Sequence, residues 1–140
     1  MTVDPFLPLL LRIILGSLFF FQAYDKIVRI GLEENFQIYR AACEERKVPF
    51  WFMKASVFLS SYIELIGGFL LIIGLFNSYT MVFLGIDLIM VSIGFGYLQG
   101  LWDMRHVFPR IVLLALLYLV PEGQDIWTIE SIFSSFFPIG

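Results

Sequence analysis

The stretch SSYIELIGGFLLIIGLF, residues 60–76, decides the fold class of this chain. It is almost entirely apolar, yet it carries a glutamate, Glu64, in its first third. About 20 apolar residues, at a rise of about 1.5 Å each, cross the roughly 30 Å hydrocarbon core of a bilayer. Extended back to Phe50 the apolar run reaches that length, so it predicts a transmembrane helix that holds one costly carboxyl group.

The composition of the whole chain also indicates an integral membrane protein. Of its 140 residues, 59% are hydrophobic and 15% are charged, whereas soluble domains have about 45–50% and about 25%. So much apolar surface cannot be hidden inside one small domain, so the surplus must face lipid. The sequence contains no basic run and no acidic tail, so a nucleic-acid partner is not expected.

Four apolar segments predict four spans. Their connections are short, which favours an all-α, antiparallel four-helix bundle in a single transmembrane domain over residues 1–140. The sequence FNSYT, residues 76–80, predicts a tight turn between the second and third spans. The four predicted spans are residues 5–30, 50–76, 78–101 and 105–120, the last being short.

Two further segments predict short helices that lie on the membrane surface. In the first loop, residues 31–48, apolar side chains recur at helical spacing among charges. In the C-terminal tail, residues 128–140, Thr128 is a candidate helix cap followed by apolar residues that suit the interface. The periodic residues of the first loop are Leu32, Phe36, Tyr39, Ala42 and Cys43.

The basic residues predict an orientation. Seven of the nine lysines and arginines lie in or beside the loops that follow the first and third spans, and the positive-inside rule places those loops in the cytoplasm. Both termini are then expected outside. The basic residues in or beside these loops are Lys26, Arg29, Arg40, Arg46, Lys47, Lys54 and Arg105.

Each predicted span carries a charged residue away from its ends: Arg12 in the first, Glu64 in the second, Asp87 in the third and Arg110 in the fourth. Counting residues from the span ends places Arg12 at the depth of Asp87, and Arg110 at the depth of Glu64. These counts predict two ion pairs, while a swapped pairing or one four-membered network stays open. Glu64 lies deepest and is the favoured protonatable group, because burial disfavours a charged carboxylate.

The helical spacing predicts that the charged faces converge on one polar core. Gly67 and Gly68 share a stripe with Glu64, and Gly16 shares one with Arg12 and Lys26, so these three glycines are predicted to let helices pack closely. His106 shares a face with Arg110 and is a weaker candidate for a ligand or proton role. Tyr24, Asp25 and Lys26 end the first span and can extend the polar face, but the favoured interpretation is a helix end whose long side chains reach the interface.

A family resemblance rests on four pieces of sequence. They are LLRIILGSLFFFQAYDKI (10–27), FQIYRAACEERKVPFW (36–51), SYIELIGGFLLIIGLF (61–76) and RHVFPRIVLLALLYLVPEGQDIWTIE (105–130). An arginine in the first helix, Glu-x-x-Gly-Gly in the second and a closing Pro-x-Gly resemble the DoxX family. The resemblance takes in Arg12, Glu64 and Arg110.

The resemblance implies a four-helix protein of a bacterial or archaeal plasma membrane. It also implies an accessory subunit of a quinone-linked oxidoreductase or respiratory assembly, with other membrane subunits or a second copy as partners beside the lipid. The single cysteine and single histidine exclude a cysteine pair and a two-histidine haem site within the chain, and no flavin or metal motif is present. Any redox chemistry is therefore expected to use a bound quinone or a partner's cofactor.

Two alternatives stay open. The buried charges can fix only the register of the helices in a non-enzymatic scaffold, because hydrophobic force between helices is weak in lipid. A small proton-coupled carrier is less favoured, since four spans are few and no pair of Gly/Pro-broken helices is present.

Overall fold

The computed structural model describes residues 4–98, 105, 107–121, 124–129 and 131–132. Within these residues the chain is helical and contains no strand. A π-helical turn, Asp25–Arg29, continues the first helix. The helices are α1 (Phe6–Tyr24), α2 (Leu32–Ile38), α3 (Arg40–Glu45), α4 (Phe50–Ile73), α5 (Asn77–Leu98) and α6 (Phe108–Tyr118).

Three helical segments are long and apolar enough to cross a membrane. They are Phe6–Arg29, Phe50–Ile73 and Asn77–Leu98, of 24, 24 and 22 residues. The fourth apolar helix, α6, has 11 described residues, fewer than the roughly 20 that a span requires. A fourth span, and with it the four-helix bundle, therefore stays a prediction.

Small residues set the closest helix contact, between α1 and α4. A Cβ atom added to Gly68 would lie 2.6 Å from the backbone nitrogen of Phe20 and 2.7 Å from the carbonyl oxygen of Gly16. A Cβ on Gly67 would lie 2.8 Å from the side chain of Leu84 on α5. Glycine therefore lets α4 approach both neighbours, as small residues do in membrane helix packing.

The contacts along the helices show that α1 and α4 run antiparallel. Arg12, near the start of α1, lies beside Gly74 at the end of α4, and Lys26, just after α1, contacts Glu64 near the middle of α4. The apolar core lies between α1, α4, α5 and α6. It contains Leu11, Leu15, Phe19, Leu71, Leu84, Leu88, Val107, Leu114 and Leu117.

The surface of the helices is strongly apolar. On α5, Phe83 is 60% exposed and Ile93 is 68% exposed, and large exposed apolar side chains also line α1 and α4. A soluble monomer rarely exposes so large a contiguous apolar patch. The surface fits a chain whose helices face lipid.

The turn between α4 and α5 starts earlier than predicted. Gly74 ends α4 with a φ of +72°, and the Leu75 amide donates to the Leu70 carbonyl at 3.0 Å while the Gly74 amide donates to Leu71 at 3.2 Å. These two bonds form a Schellman motif. Since this motif completes the turn, α5 begins at Asn77, and the predicted turn over residues 76–80 is wrong beyond its first residue.

The first loop folds into two short helices, where the sequence predicts one. The break is at Tyr39, which ends α2 and precedes α3. Phe36 and Cys43 are buried as the spacing predicts. Lys54 on α4 holds the loop in place, because its amine pairs with Glu33 at 3.2 Å and lies 5.2 Å from the ring centre of Phe36.

Candidate functional site

Glu64 lies at the centre of the buried charges. It is fully buried on α4, and each of its carboxylate oxygens accepts a hydrogen bond from a cation. The Arg110 guanidinium donates to Oε1 at 2.7 Å, and the Lys26 amine donates to Oε2 at 2.5 Å. Both carboxylate oxygens of Glu64 are therefore occupied by cations of the same chain.

Lys26 belongs to this cluster, so its interpretation as a helix end that reaches the interface is wrong. It lies in the π-helical turn after α1, where the Ile30 amide donates to the Asp25 carbonyl at 2.9 Å. Because α1 and α4 are antiparallel, the turn brings the amine to Glu64, with 20% of the side chain exposed. The sequence held the signal, since Lys26 shares its stripe with Arg12 and Gly16.

Arg110 reaches the cluster from α6. Its side chain is 2% exposed, and its guanidinium lies 5.3 Å from the centre of the Phe19 ring on α1. A cation over an aromatic face is stabilised by the ring quadrupole. The predicted pairing of Arg110 with Glu64 is confirmed.

Asp87 is the second buried carboxyl group, and its surroundings differ from those of Glu64. It is fully buried on α5, near the charges of Glu64, Lys26 and Arg110 and beside the Ser60 side chain. Within the described residues neither Asp87 oxygen nor Ser60 Oγ makes a hydrogen bond, so we treat the Ser60 hydroxyl as a neighbour and not as a bonded partner. A buried polar group without a partner is costly.

Arg12 lies apart from the cluster, so its predicted pairing with Asp87 is wrong. Its guanidinium pairs with Asp125 at 3.1 Å and donates to the Trp127 carbonyl oxygen at 2.7 Å. The C-terminal segment, residues 124–129, supplies both partners. Counting depth along helices could not reveal this pairing, because it depends on a non-helical segment that returns over the ends of α1 and α4.

The C-terminal segment packs against Gly74. A Cβ atom on Gly74 would lie 2.1 Å from Arg12 Nη1, and the Gly74 carbonyl accepts a hydrogen bond from the Ile129 amide at 3.2 Å. Thr128 caps the turn that follows, since its hydroxyl accepts a bond from the Ser131 amide at 2.9 Å. The predicted cap at Thr128 is therefore present.

The remaining predicted site residues have different places. Gly16, Gly67 and Gly68 lie at the helix contacts described above. His106 lies outside the described residues. The buried cluster, defined from here on as Lys26, Glu64, Asp87 and Arg110, thus joins three predicted residues with one whose role the sequence analysis missed.

The arrangement of the buried cluster limits its chemistry. Two cations can donate hydrogen bonds to carbonyl or carboxylate oxygens, and one carboxyl group, Asp87, has both oxygens open to a donor or a proton. Such buried ionisable groups in spans are expensive and commonly mark ligand or proton sites.

Comparison with known families identifies the chain. The model of the DoxX family matches residues 7–97. The chain belongs to the DoxX family. The matched part of this DoxX protein runs from α1 to the end of α5 and contains Lys26, Glu64 and Asp87, whereas Arg110 lies beyond it. Comparisons with curated proteins and with solved structures found no match.

Proposed function

We propose that this DoxX protein is an accessory subunit of a quinone-linked oxidoreductase or respiratory assembly, and that the buried cluster holds a quinone headgroup. The family membership and the three long apolar helices support a membrane protein. The single observation that carries the site is Asp87, a fully buried carboxyl group whose two oxygens have no hydrogen-bond partner in the described part of the chain.

The chemistry of the cluster fits a quinone. A quinone headgroup has carbonyl oxygens that accept hydrogen bonds, which the Lys26 amine and the Arg110 guanidinium can donate. Its reduced form has hydroxyl groups that can donate to Asp87. A bound quinone supplies the two-electron chemistry, and the residues of this chain orient its headgroup and hold or move protons.

An apolar groove supports a place for the isoprenoid tail. The groove has a volume of about 370 Å³ and lies between α5 and α6, the two helices that carry Asp87 and Arg110. Leu114, one helical turn after Arg110, lies in its wall, and the lining side chains that carry a hydroxyl group are Ser92 and Tyr118. A chain of isoprene units is apolar throughout, so it suits this lining.

The proposal includes the architecture and the place in the cell. We propose that α6 is part of a fourth span that closes an antiparallel four-helix bundle in a bacterial or archaeal plasma membrane, with both termini outside the cytoplasm. The basic residues of the first loop support this orientation. The partners are lipid and either other membrane subunits or a second copy of the chain.

Native mass spectrometry with quinone extraction tests the site. The protein is solubilised gently from its membrane, and wild type is compared with Asp87→Asn and with Asp25→Asn, the same change at an exposed aspartate. We expect quinone with the wild type and with Asp25→Asn, and much less with Asp87→Asn. Wild-type protein that carries no quinone and binds none in titration would contradict the proposal.

A structural role is the second candidate, and a specific observation favours it. Both oxygens of Glu64 are bonded to cations of the same chain, and Arg12 likewise has partners within the chain. Such pairs can fix helix register without any ligand. In that case the protein co-purifies with a larger assembly and without quinone, and changes in the surface helices release it.

A further inference from the structure

The two carboxyl groups of the buried cluster have opposite hydrogen-bonding situations. Glu64 accepts a bond from a cation on each oxygen, whereas Asp87 accepts none from the described residues. Both side chains are fully buried. From this difference we propose that Asp87 carries the exchangeable proton of the cluster, and that Glu64 stays a carboxylate fixed between Lys26 and Arg110.

The groups that face Asp87 come from every neighbouring element. Helix α4 presents Glu64 and the Ser60 hydroxyl, the π-helical turn presents Lys26, and α6 presents Arg110. The Lys26 and Arg110 contacts of 2.5 and 2.7 Å are made with Glu64. A second buried negative charge beside Glu64 is disfavoured by desolvation and by like-charge repulsion, and both favour the neutral acid at Asp87.

Exposure indicates the side from which the proton arrives. Lys26 is 20% exposed, whereas the side chains of Glu64 and Arg110 are at most 2% exposed. The far end of α1 is covered by the C-terminal segment that pairs with Arg12. Lys26 is therefore the most exposed of these three residues and lies next to the first loop, and the proposed orientation puts that loop on the cytoplasmic side.

The proton step itself is simple. A hydronium ion gives its proton to one oxygen of the Asp87 carboxylate: an O–H bond of the hydronium breaks, an O–H bond on Asp87 forms, and water is left. On release the Asp87 O–H bond breaks and a water molecule takes the proton. The two cations and Glu64 keep their charges throughout. The inference rests on the proposed function for its use, since reduction of a quinone takes up protons together with electrons.

Infrared spectroscopy of the protein in lipid vesicles at mildly acidic pH tests the inference. A protonated carboxyl group gives a C=O stretching band that is separate from the carboxylate bands and shifts in D₂O. We expect this band in wild type and in Asp25→Asn, and its loss in Asp87→Asn. A wild-type spectrum without the band, or a band that persists in Asp87→Asn, would overturn the inference.

A second measurement uses the unchanged chain, in case Asp87→Asn does not fold. An apolar carbodiimide reacts with protonated carboxyl groups inside membranes, because the acid proton moves to its nitrogen as the carboxyl oxygen attacks its central carbon. Peptide mass spectrometry then locates the adduct. We expect it on Asp87 and not on Glu64; an adduct on Glu64, or on neither residue, would overturn the inference.

The two proposals fail separately. A protonated Asp87 in a protein that binds no quinone would refute the proposed function and leave the proton site in place. A protein that binds quinone but whose Asp87 is ionised would refute the proton site and leave the proposed function in place.

Discussion

At the scale of single residues, Glu64 and its two cations, Lys26 and Arg110, combine two large and opposing energy terms: the cost of desolvation and the attraction between opposite charges. Desolvation of buried charges costs nearly as much as their attraction returns, so the intact pair adds little net stability. Loss of one partner is different, because it leaves an uncompensated charge in the interior. Substitutions in the cluster should therefore have large effects even if the cluster itself is only marginally stabilising.

Arg110→Met tests this asymmetry. Removal of one partner of a buried pair is expected to lower the free energy of unfolding by about 3–5 kcal/mol. The matched control is Arg29→Met, which removes an arginine that is 72% exposed and paired with Asp25, and is expected to cost at most about 1 kcal/mol. Unfolding in detergent measures both; equal, small losses would show that Arg110 is not buried against Glu64.

Gly74 and Gly31 form a natural pair of variants. Both have a positive φ, +72° and +87°. Gly74 has the left-handed helical backbone, with ψ of 44°, where alanine costs about 1–2 kcal/mol. Gly31 has ψ of 144°, in a region that side chains rarely adopt, so alanine there costs about 1–3 kcal/mol. Only at Gly74 would the new Cβ also collide with Arg12, at 2.1 Å; at Gly31 the space is open.

Both variants are expected to lose stability. We expect only Gly74→Ala to expose the C-terminal segment to protease, because only its Cβ collides with Arg12 and with the Thr128 backbone. The measurements are thermal unfolding and limited proteolysis of the two variants side by side. The same digestion pattern for both would contradict the packing of Arg12 against Gly74.

At the scale of elements, hydropathy and spacing predicted the long helices and the apolar face of the first loop. Residue periodicity is a local property, and α4, α5, Phe36 and Cys43 follow from it. The break at Tyr39 was not predicted, because one amphipathic stripe continues across it. The early end of α4 was missed because the Schellman bonds at Gly74 depend on its φ of +72°.

The candidate site was predictable only in part, for a related reason. Helical faces correctly brought Glu64 and Arg110 together, since both lie on long regular helices. Arg12 was paired with the wrong residue because its partner, Asp125, reaches it through an irregular segment. Lys26 reaches Glu64 because α1 and α4 pack antiparallel. A stripe on one helix suggests which face Lys26 occupies, but it does not establish which residue of the other helix it contacts.

The docking of α2 is expected to depend on pH through Glu33. Hydrogen bonds from Lys54, then from Gln37, hold the pKa of the Glu33 carboxyl below its ordinary value of 4.5. A lowered folded-state pKa means that this contribution is complete above pH 4.5 and is lost as pH falls through the lower folded value. Because Glu33 is exposed, the effect is small and screened by salt.

Amide hydrogen exchange in α2, corrected for the intrinsic rate at each pH, measures this effect. Protection should fall at acid pH in wild type and should be flat over that range in Glu33→Gln. An identical pH profile in the two proteins would contradict the role of the Glu33–Lys54 contact.

The thiol of Cys43 reports on the packing of α3. Burial, and then the charge of Glu44, raise the pKa of this thiol above its ordinary value of 9.0. Since the thiolate is the reactive form and the Cys43 side chain is buried, a maleimide should react more slowly with the folded chain than with the denatured chain. Because Cys43 is part of α3, equal rates would show that α3 does not pack with this side chain buried.

At the scale of the whole molecule, the apolar surface and the buried charges form one arrangement. Lipid-facing side chains on α1, α4 and α5 surround an apolar core, and the charged cluster lies within it. Near one end of α1, Arg12 pairs with Asp125 of the C-terminal segment, and just after its other end Lys26 pairs with Glu64 and is 20% exposed. This asymmetry is what a site that exchanges protons with one side of a membrane requires.

Photolabelling with a quinone that carries a photoreactive group on its ring tests the central claim most directly. The label is activated in vesicles that contain wild type, Asp87→Asn or Asp25→Asn, and its position is mapped by peptide mass spectrometry. We predict labelling near Asp87 and Arg110 that unlabelled quinone competes away, and that is lost in Asp87→Asn alone. Equal labelling of all three proteins, scattered over lipid-facing side chains and unaffected by unlabelled quinone, would contradict a quinone site in the buried cluster.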